Sequence, residues 1–363
     1  MSGNKPPYKV PSMAEIEATP WNGYNVVSTF SGGGGSCLGY RMAGFKVLWA
    51  NEFVEEAQKT YRENHPGVIL DTRDIREVKP EDILKDIGMK PGDVDLFDGS
   101  PPCCAFSTAG KRERSWNKER DYSEGKSQQI ETLFYEYIRI LNGIQPKTFV
   151  AENVSGLVKG KAIGYFKEFL RNMKKCGYRV NAQLLNSMWL GVPQSRERLI
   201  FIGVREDLGL DPVFPTPLPY YYTLADALDG LPEDREEKDR LAAELMKYTT
   251  GPVLKKLPKN PPKPITGATV MNGSYFNLKR ESMNCPCSTI CQMNGLPRSS
   301  GNCHPIEDRK FTIPEIKRIT SLPDDFILTG DRRQQWERAG RMVPPVMMKH
   351  IATALKEGVL DKL

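Results

Sequence analysis

Asp95-Leu96-Phe97-Asp98-Gly99-Ser100-Pro101-Pro102-Cys103-Cys104-Ala105-Phe106-Ser107 is the stretch on which the reading of the whole chain turns. Val94 to Phe97 form a short apolar run that reads as a strand. Pro101 and Pro102 cannot continue a sheet ladder, so the strand ends there, and their rings stiffen the chain that presents Cys103. Most cysteines that resemble a small hydrophobe are packed in a core. A cysteine at a strand end, framed by proline and followed by a basic loop, is rarer and suits a nucleophile. Outward from this stretch, residues 25–30, 47–51, 148–151 and 199–204 read as further strands, and 55–63, 127–141 and 162–174 as helices. Strand–helix alternation argues a doubly wound α/β sheet with a mostly parallel core. Ligands bind such sheets beyond the carboxyl ends of the strands, so functional residues are expected just after each strand.

The 363 residues suffice for more than one domain. Residues 1–23 hold prolines and scattered charges without the apolar core of a secretory signal, and read as a loosely ordered arm. Residues 24–205 carry the alternation. Residues 206–305 are proline-rich and irregular, enclosing one charged helical stretch at 233–248, and read as a second, smaller domain. Helical patterning resumes near Phe311, and residues 306–363 read as a segment returning to the first domain, ending in an amphipathic helix at 346–355. No apolar run reaches the roughly 18 residues that suggest a membrane span. The net charge of +6 is too mild to name a partner. The segment 111–120 concentrates Lys111, Arg112, Arg114, Lys118 and Arg120 where phosphates could be tracked. Eight cysteines in a chain of this length imply reduced thiols rather than a disulfide framework.

Chemistry-bearing residues follow the strands as expected. Phe30-Ser31-Gly32-Gly33-Gly34-Gly35 is a glycine turn between a strand and a helix, where backbone can approach a ligand closely. Glu52, after the next strand, is placed to accept hydrogen bonds from a ribose diol. Asp74-Ile75 follows a third apolar stretch. Together these suggest an adenosine-containing cofactor. Glu152 ends the strand at 148–151, and Arg196 and Arg198 point to one side of an extended chain.

In order and spacing, the glycine turn, Asn51-Glu52, Asp74-Ile75, Pro101-Pro102-Cys103, Glu152-Asn153-Val154, Gln194-x-Arg196-x-Arg198, Arg309-Lys310-Phe311-Thr312-Ile313-Pro314-Glu315 and Val343-Pro344-Pro345 resemble the DNA cytosine-5 methyltransferases. The resemblance spans about residues 24 to 355. It implies a Rossmann-like methyltransferase sheet with a small target-recognition domain, S-adenosylmethionine as cofactor, double-stranded DNA as partner and no metal. Cys103 is then the nucleophile, Glu152 contacts the base at N3, and Arg196 and Arg198 hold both. Phe30, Ser31, Gly32, Gly34, Gly35, Glu52, Asp74, Ile75, Pro102, Arg341 and Val343 line the cofactor site. The base is flipped out of the duplex, and residues 106–128 close over it, with Ser107, Lys111, Arg112 and Arg114 on DNA. Arg280, Asn284, Gln292 and Arg298 are candidate base readers. A monomer in a bacterial or phage-infected cytoplasm completes this picture, with a restriction partner, phage self-protection or regulation left open as its role.

Two positions depart from the family pattern. Cys104 stands where glutamine usually follows the nucleophile. Arg341 stands where asparagine usually lies near the transferable group, and its charge calls for an anion. Glu337, a DNA phosphate, the methionine carboxylate of the cofactor, or a carboxylate on the transferred group are the options. The last would mean carboxy-S-adenosylmethionine as donor and 5-carboxymethylcytosine as product. An RNA cytosine-5 methyltransferase and a catalytically inactive DNA-binding protein are further alternatives. The cluster Cys285, Cys287, Cys291, Cys303 and His304 lacks standard zinc spacing and reads as ordinary packed thiols.

Overall fold

The structure, a computed structural model, describes residues 5–102, 120–121, 127–128, 132–295 and 299–363. Cys103, Cys104, Ser107, Lys111, Arg112, Arg114 and Arg298 lie outside the described residues, as does most of the loop at 106–128. The chain divides into two compact units. The sheet unit comprises Glu17–Asn186, Glu197–Thr216 and Met348–Leu363, and the small unit Met1–Ile16, Ser187–Arg196 and Pro217–Met347.

The sheet unit is built on seven strands: β1 (Asn25–Thr29), β2 (Lys46–Asn51), β3 (Ile69–Asp71), β4 (Leu96–Gly99), β5 (Thr148–Val154), β6 (Tyr178–Asn186) and β7 (Glu197–Arg205). They lie in the order β3-β2-β1-β4-β5-β7-β6. The first five are mutually parallel, and β7 runs antiparallel to both β5 and β6. Every residue of β1 is buried, as both-sided covering by helices requires. Those helices are α1 (Gly35–Met42), α2 (Glu55–Asn64), α3 (Pro80–Ile87), α4 (Leu133–Ile144) and α5 (Ile163–Lys175). Pro80 opens α3 and Gly88, at φ 67°, ends it in the left-handed conformation. On one face of the sheet Phe134 stacks on Phe169 with centroids 3.8 Å apart, and Phe97 stacks on Tyr137 at 4.7 Å. The first stack joins α4 to α5 and the second joins α4 to the sheet, within a core of large rings and aliphatic side chains.

Two elements differ from the sequence expectation. Strand β6 alternates buried Tyr178 and Val180 with exposed Arg179 and Asn181, the signature of an edge strand with one wet face, which an apolar-run search passes over. The helix expected at 127–141 begins only at Leu133, because Ser127–Gln128 pair as a strand with Arg120–Asp121.

In the small unit lie α6 (Arg235–Met246), α7 (Thr250–Lys255), α8 (Ile313–Ile319) and α9 (Arg332–Arg341). Here the arm is not loose: the Lys5 ammonium pairs with Asp226 at 2.7 Å, and the Tyr8 hydroxyl donates to the Arg318 carbonyl at 2.7 Å. Of residues 306–363, expected to return to the sheet as a whole, only the part from Met348 groups with it. That part is most of α10 (Pro345–Gly358) and the chain end, where the Tyr24 hydroxyl donates to Asp361 at 3.0 Å. Residues 309–315 have a structural task. Thr312 Oγ1 accepts the Glu315 N–H, Glu315 accepts the Thr312 N–H in return, and the buried Arg309 guanidinium grips both Glu315 oxygens at 2.7 and 2.8 Å. This reciprocal cap fixes where α8 starts.

Gly203 of β7 lies directly opposite Phe149 of β5, and a methyl there would come within 2.0 Å of the Phe149 ring. Gly203→Ala is expected to lower the unfolding free energy by roughly 1–3 kcal/mol, the range for overpacking a core. A urea titration checks this, and an unshifted midpoint would mean the ring can move aside.

Candidate active site

The carboxyl ends of β1, β2 and β4 bring the first group of residues together. After β1 the backbone must reverse sharply, and Phe30 (φ 54°), Gly32 (φ 57°) and Gly34 (φ 92°) all adopt left-handed conformations. For an aromatic residue this is unusual, and such backbone gathers at functional sites. Gly35 then opens α1. A Cβ on Gly34 would meet the His65 ring at 2.1 Å, whereas one on Gly32 would meet nothing within 4 Å. One side of the turn is therefore packed and the other open. His65 itself is neutral, its imidazole pushed down to about 3 by burial and then by the Arg41 charge. Ser31 is buried, its hydroxyl donating to Ser28 Oγ at 3.0 Å and its N–H to the Asn51 carbonyl at 3.0 Å.

Glu52, at the end of β2, is also buried. Its Oε2 accepts the Gly32 N–H at 2.8 Å and its Oε1 the Val54 N–H at 2.7 Å. A fixed acid beside the open side of a glycine turn fits the ribose of an adenosine cofactor. Asp74 pairs with Arg76 at 3.1 Å, and Ile75 is buried in the main core.

Beneath the turn lies a polar layer that sequence reasoning missed. Asp98, the third residue of β4, is buried and accepts hydrogen bonds from Tyr40 (2.8 Å) and Ser28 (2.9 Å). Burial pushes its carboxyl up to about 7, against the lowering effect of those two donors and with a further upward push from Glu152. The available signal was an aspartate set inside the buried end of an apolar strand. The neighbouring Cys37 thiol is pushed up to about 11 by burial, which makes it inert.

At the end of β5, Glu152 is buried and paired through Oε1 with Arg198 Nε at 2.6 Å. In the ladder Arg198 faces Val154, so the pair is a diagonal contact between neighbouring strands. The next residue, Asn153, donates from its side-chain amide to the Pro101 carbonyl at 3.4 Å, tying β5 to the Pro101–Pro102 turn that leads to Cys103. Pro101 is buried and Pro102 half-buried.

Arg196 takes a different course from Arg198. It belongs to the small unit, where its guanidinium donates to the carbonyls of Ile290, Gly340 and Arg341. A cation on the last carbonyls of α9 neutralises the negative end of that helix. Arg341, at the end of α9, is exposed and pairs with Glu337 one turn earlier at 2.7 Å. Its anion within the small unit is thus the first of the options considered from the sequence. Val343 is buried in the same unit. Asn284 is exposed and Gln292 half-buried. Arg280 requires a correction. It is fully buried, bonded to Asp308 and to the carbonyls of Leu254, His304 and Glu307, so its guanidinium holds the small unit together and presents no edge to a base. Of the nearby thiols, Cys287 and Cys303 are buried and pushed up by that burial, and Cys285 and Cys291 are half-buried.

Residues 24–357 match the family model described as C-5 cytosine-specific DNA methylase. The Type II methyltransferase M.FnuDI of Fusobacterium nucleatum is 36% identical across 93% of this chain and 95% of that protein. M.Sau96I of Staphylococcus aureus is 32% identical across 97% of this chain and 80% of its own length. Among solved structures, a prophage-encoded E. coli protein, titled as a candidate DNA modification methyltransferase, aligns with a TM-score of 0.71 at 23% identity, covering 93% of this chain and 99% of that one. A mutant of Spodoptera frugiperda DNMT2 aligns at 0.63 with 17% identity, covering 92% and 99%. These structural likenesses carry the fold, and the doubly wound architecture read from the strand pattern stands.

Asp98 sets a pH dependence that can be measured. Its carboxyl keeps its proton in the folded state up to about 7 but releases it near 3.8 once unfolded. The folded state therefore binds more protons between those values, and stability falls as pH rises from about 4 to 7, by about 4 kcal/mol in all. Asp98→Asn keeps the shape and cannot titrate. Denaturant midpoints of the two proteins are expected to diverge toward low pH, with the wild type gaining relative to the variant. Parallel curves would mean that Asp98 is ionised throughout.

Proposed function

Because the chain belongs to the C-5 cytosine-specific DNA methylases, we propose that it transfers a methyl group to C5 of a cytosine turned out of duplex DNA, through a transient bond between Cys103 and C6. The observation that carries this reading is the Glu152–Arg198 pair beside the Asn153-anchored turn. Aromatic cytosine is a poor carbon nucleophile. Addition of the Cys103 thiolate to C6 breaks the 5,6 double bond and sends an electron pair toward N3, where a proton is needed. Arg198 fixes Glu152 through Oε1, which leaves Oε2 to face N3 and share that proton. C5 is then enamine-like and attacks an electrophilic carbon. Loss of the C5 proton restores the double bond and expels Cys103.

S-adenosylmethionine supplies the methyl on a sulfonium when bound. The residues that would hold it fit at the open side of Gly32 for close approach and at buried Glu52 for the ribose; the family pattern sets Phe30 and Asp74 around the adenine, whereas Ile75 is packed in the main core. Arg341 needs no carboxylate on the donor to satisfy its charge, since Glu337 meets it at 2.7 Å. The methyl donor is therefore preferred over its carboxylated relative. Duplex DNA is preferred over RNA, in keeping with the family and with the Type II methyltransferase names of its bacterial relatives, which also support the cytoplasm of a bacterial or phage-infected cell.

Two measurements test this. On duplex DNA containing 5-fluorocytosine, which cannot lose its C5 substituent, the wild type is expected to trap a covalent complex that Cys103→Ala cannot form. Arg198→Ala is expected to lower kcat about 100-fold while DNA affinity holds, the scale for a misplaced catalytic group. A Cys103→Ala enzyme with undiminished product would sink the mechanism. With both donors present, mass analysis of digested nucleosides is expected to find 5-methylcytosine; a carboxymethyl product would reverse the preference.

A further inference from the structure

One acid-free stretch of this chain accounts for its net positive charge. Residues 247–280 contain Lys247, Lys255, Lys256, Lys259, Lys263, Lys279 and Arg280 and not one aspartate or glutamate. Subtracting those seven from 51 basic residues leaves 44 against 45 acidic ones elsewhere, so the whole excess of +6 arises here. Lys255, Lys256, Lys259 and Lys263 are exposed, and no carboxylate among the described residues lies within ion-pair distance of them. Surface charges are usually interspersed, so an acid-free run of this length is a strong local field.

From the middle of that stretch rises a closed loop, residues 267–278. Its ends meet where the Gly267 N–H donates to the Leu278 carbonyl at 2.9 Å, and a Cβ on Gly267 would strike Tyr275 at 2.8 Å. Inside it the N–H groups of Val270, Gly273, Ser274 and Leu278 all find loop carbonyls. Asn272, Gly273 and Tyr275 take left-handed backbone. Met271 and Tyr275 turn inward onto the small core of Leu245, Val253, Leu254, Leu257 and Leu278. The neighbouring Phe276 is thereby driven outward and stands 67% exposed, the most exposed large apolar side chain among the described residues. A self-bonded loop of this kind is rigid and compact, and Lys256 lies against it, its ammonium 3.9 Å from Met271 Sδ.

We infer that this loop reads the DNA target, with Phe276 packing on the C5-methyl of a thymine in the major groove while Lys255, Lys256, Lys259 and Lys263 track the flanking phosphates. The inference rests on the DNA methyltransferase reading above and names the specificity element for it. Phosphates are the partner that an acid-free basic field selects. An apolar ring on a rigid, polar-rimmed loop is of little use to phosphate and suits the thymine methyl. The target site then contains an A·T pair, and Asn272 and Asn277 at the rim offer amides to the same pair or its neighbour.

The experiment uses the full chain. The target is first found by sequencing methylated DNA from cells that express it. Phe276→Ala is then compared with wild type on cognate duplex and on duplexes with each thymine of the site replaced in turn by deoxyuridine, which lacks only the methyl. Wild type is expected to lose about tenfold in kcat/KM at one thymine, and Phe276→Ala to lose as much on cognate DNA yet be indifferent to the replacement. Separately, the Lys255→Gln, Lys256→Gln, Lys259→Gln, Lys263→Gln variant is expected to show a shallower dependence of DNA affinity on salt, by about 0.9 in the log–log slope for each phosphate lost. Unchanged melting temperatures guard against misfolding, since every altered side chain is exposed. A Phe276→Ala enzyme that still senses the thymine methyl, or an unchanged salt slope, would overturn the inference. Absence of any 5-methylcytosine with wild type would instead sink the enzymatic reading, and the salt slope would still decide whether this face binds DNA.

Discussion

The register of β7 against β5 is the constraint on which the site rests. Arg198 reaches Glu152 only because it faces Val154, two residues along the same ladder. A slip by one residue would turn every side chain of β7 to the opposite face and leave a buried carboxylate alone. The slip is blocked a few residues further along, where Gly203 faces Phe149 and no side chain fits above that ring. A core packing detail thus fixes the geometry of a charged pair at the strand ends. Local consistency of this kind is what lets one sequence specify one arrangement.

Below the glycine turn the protein gives up stability. Asp98 occupies a place where an apolar residue would be easier to bury, and Tyr40 and Ser28 only partly offset the loss of water. In exchange, three elements are tied together: β1 through Ser28, α1 through Tyr40, and β4 itself. Those are the elements that carry the glycine turn and the Pro101–Pro102 corner. The strained backbone of Phe30 sits on top of this layer, and such strain persists only where the surroundings over-determine it.

Much of this was legible in the chain itself. Strands buried on both faces are continuous apolar runs, so the parallel β1, β2, β4 and β5 and the antiparallel but buried β7 announced themselves, and the residues after them could be read in order. Edge strand β6 did not, because half its residues face water. The bonding of Arg196 and Arg280 was hidden for another reason. Arg196 read as a holder of Glu152 and the base and Arg280 as a base reader, yet each closes backbone carbonyls left open by elements distant in sequence, which periodicity cannot reveal. Likewise Thr312 and Glu315 were read as a family mark, when their immediate work is to cap α8. The division of the chain at Met348 depends on tertiary packing alone.

Glu52 bears on affinity in a way that its chemical type alone would not suggest. Both carboxylate oxygens are already held by backbone amides of two different segments, one before α1 and one before α2. A side chain immobilised in advance has little rotational freedom left to surrender when a vicinal diol arrives, so that entropy loss is settled during folding rather than at each encounter.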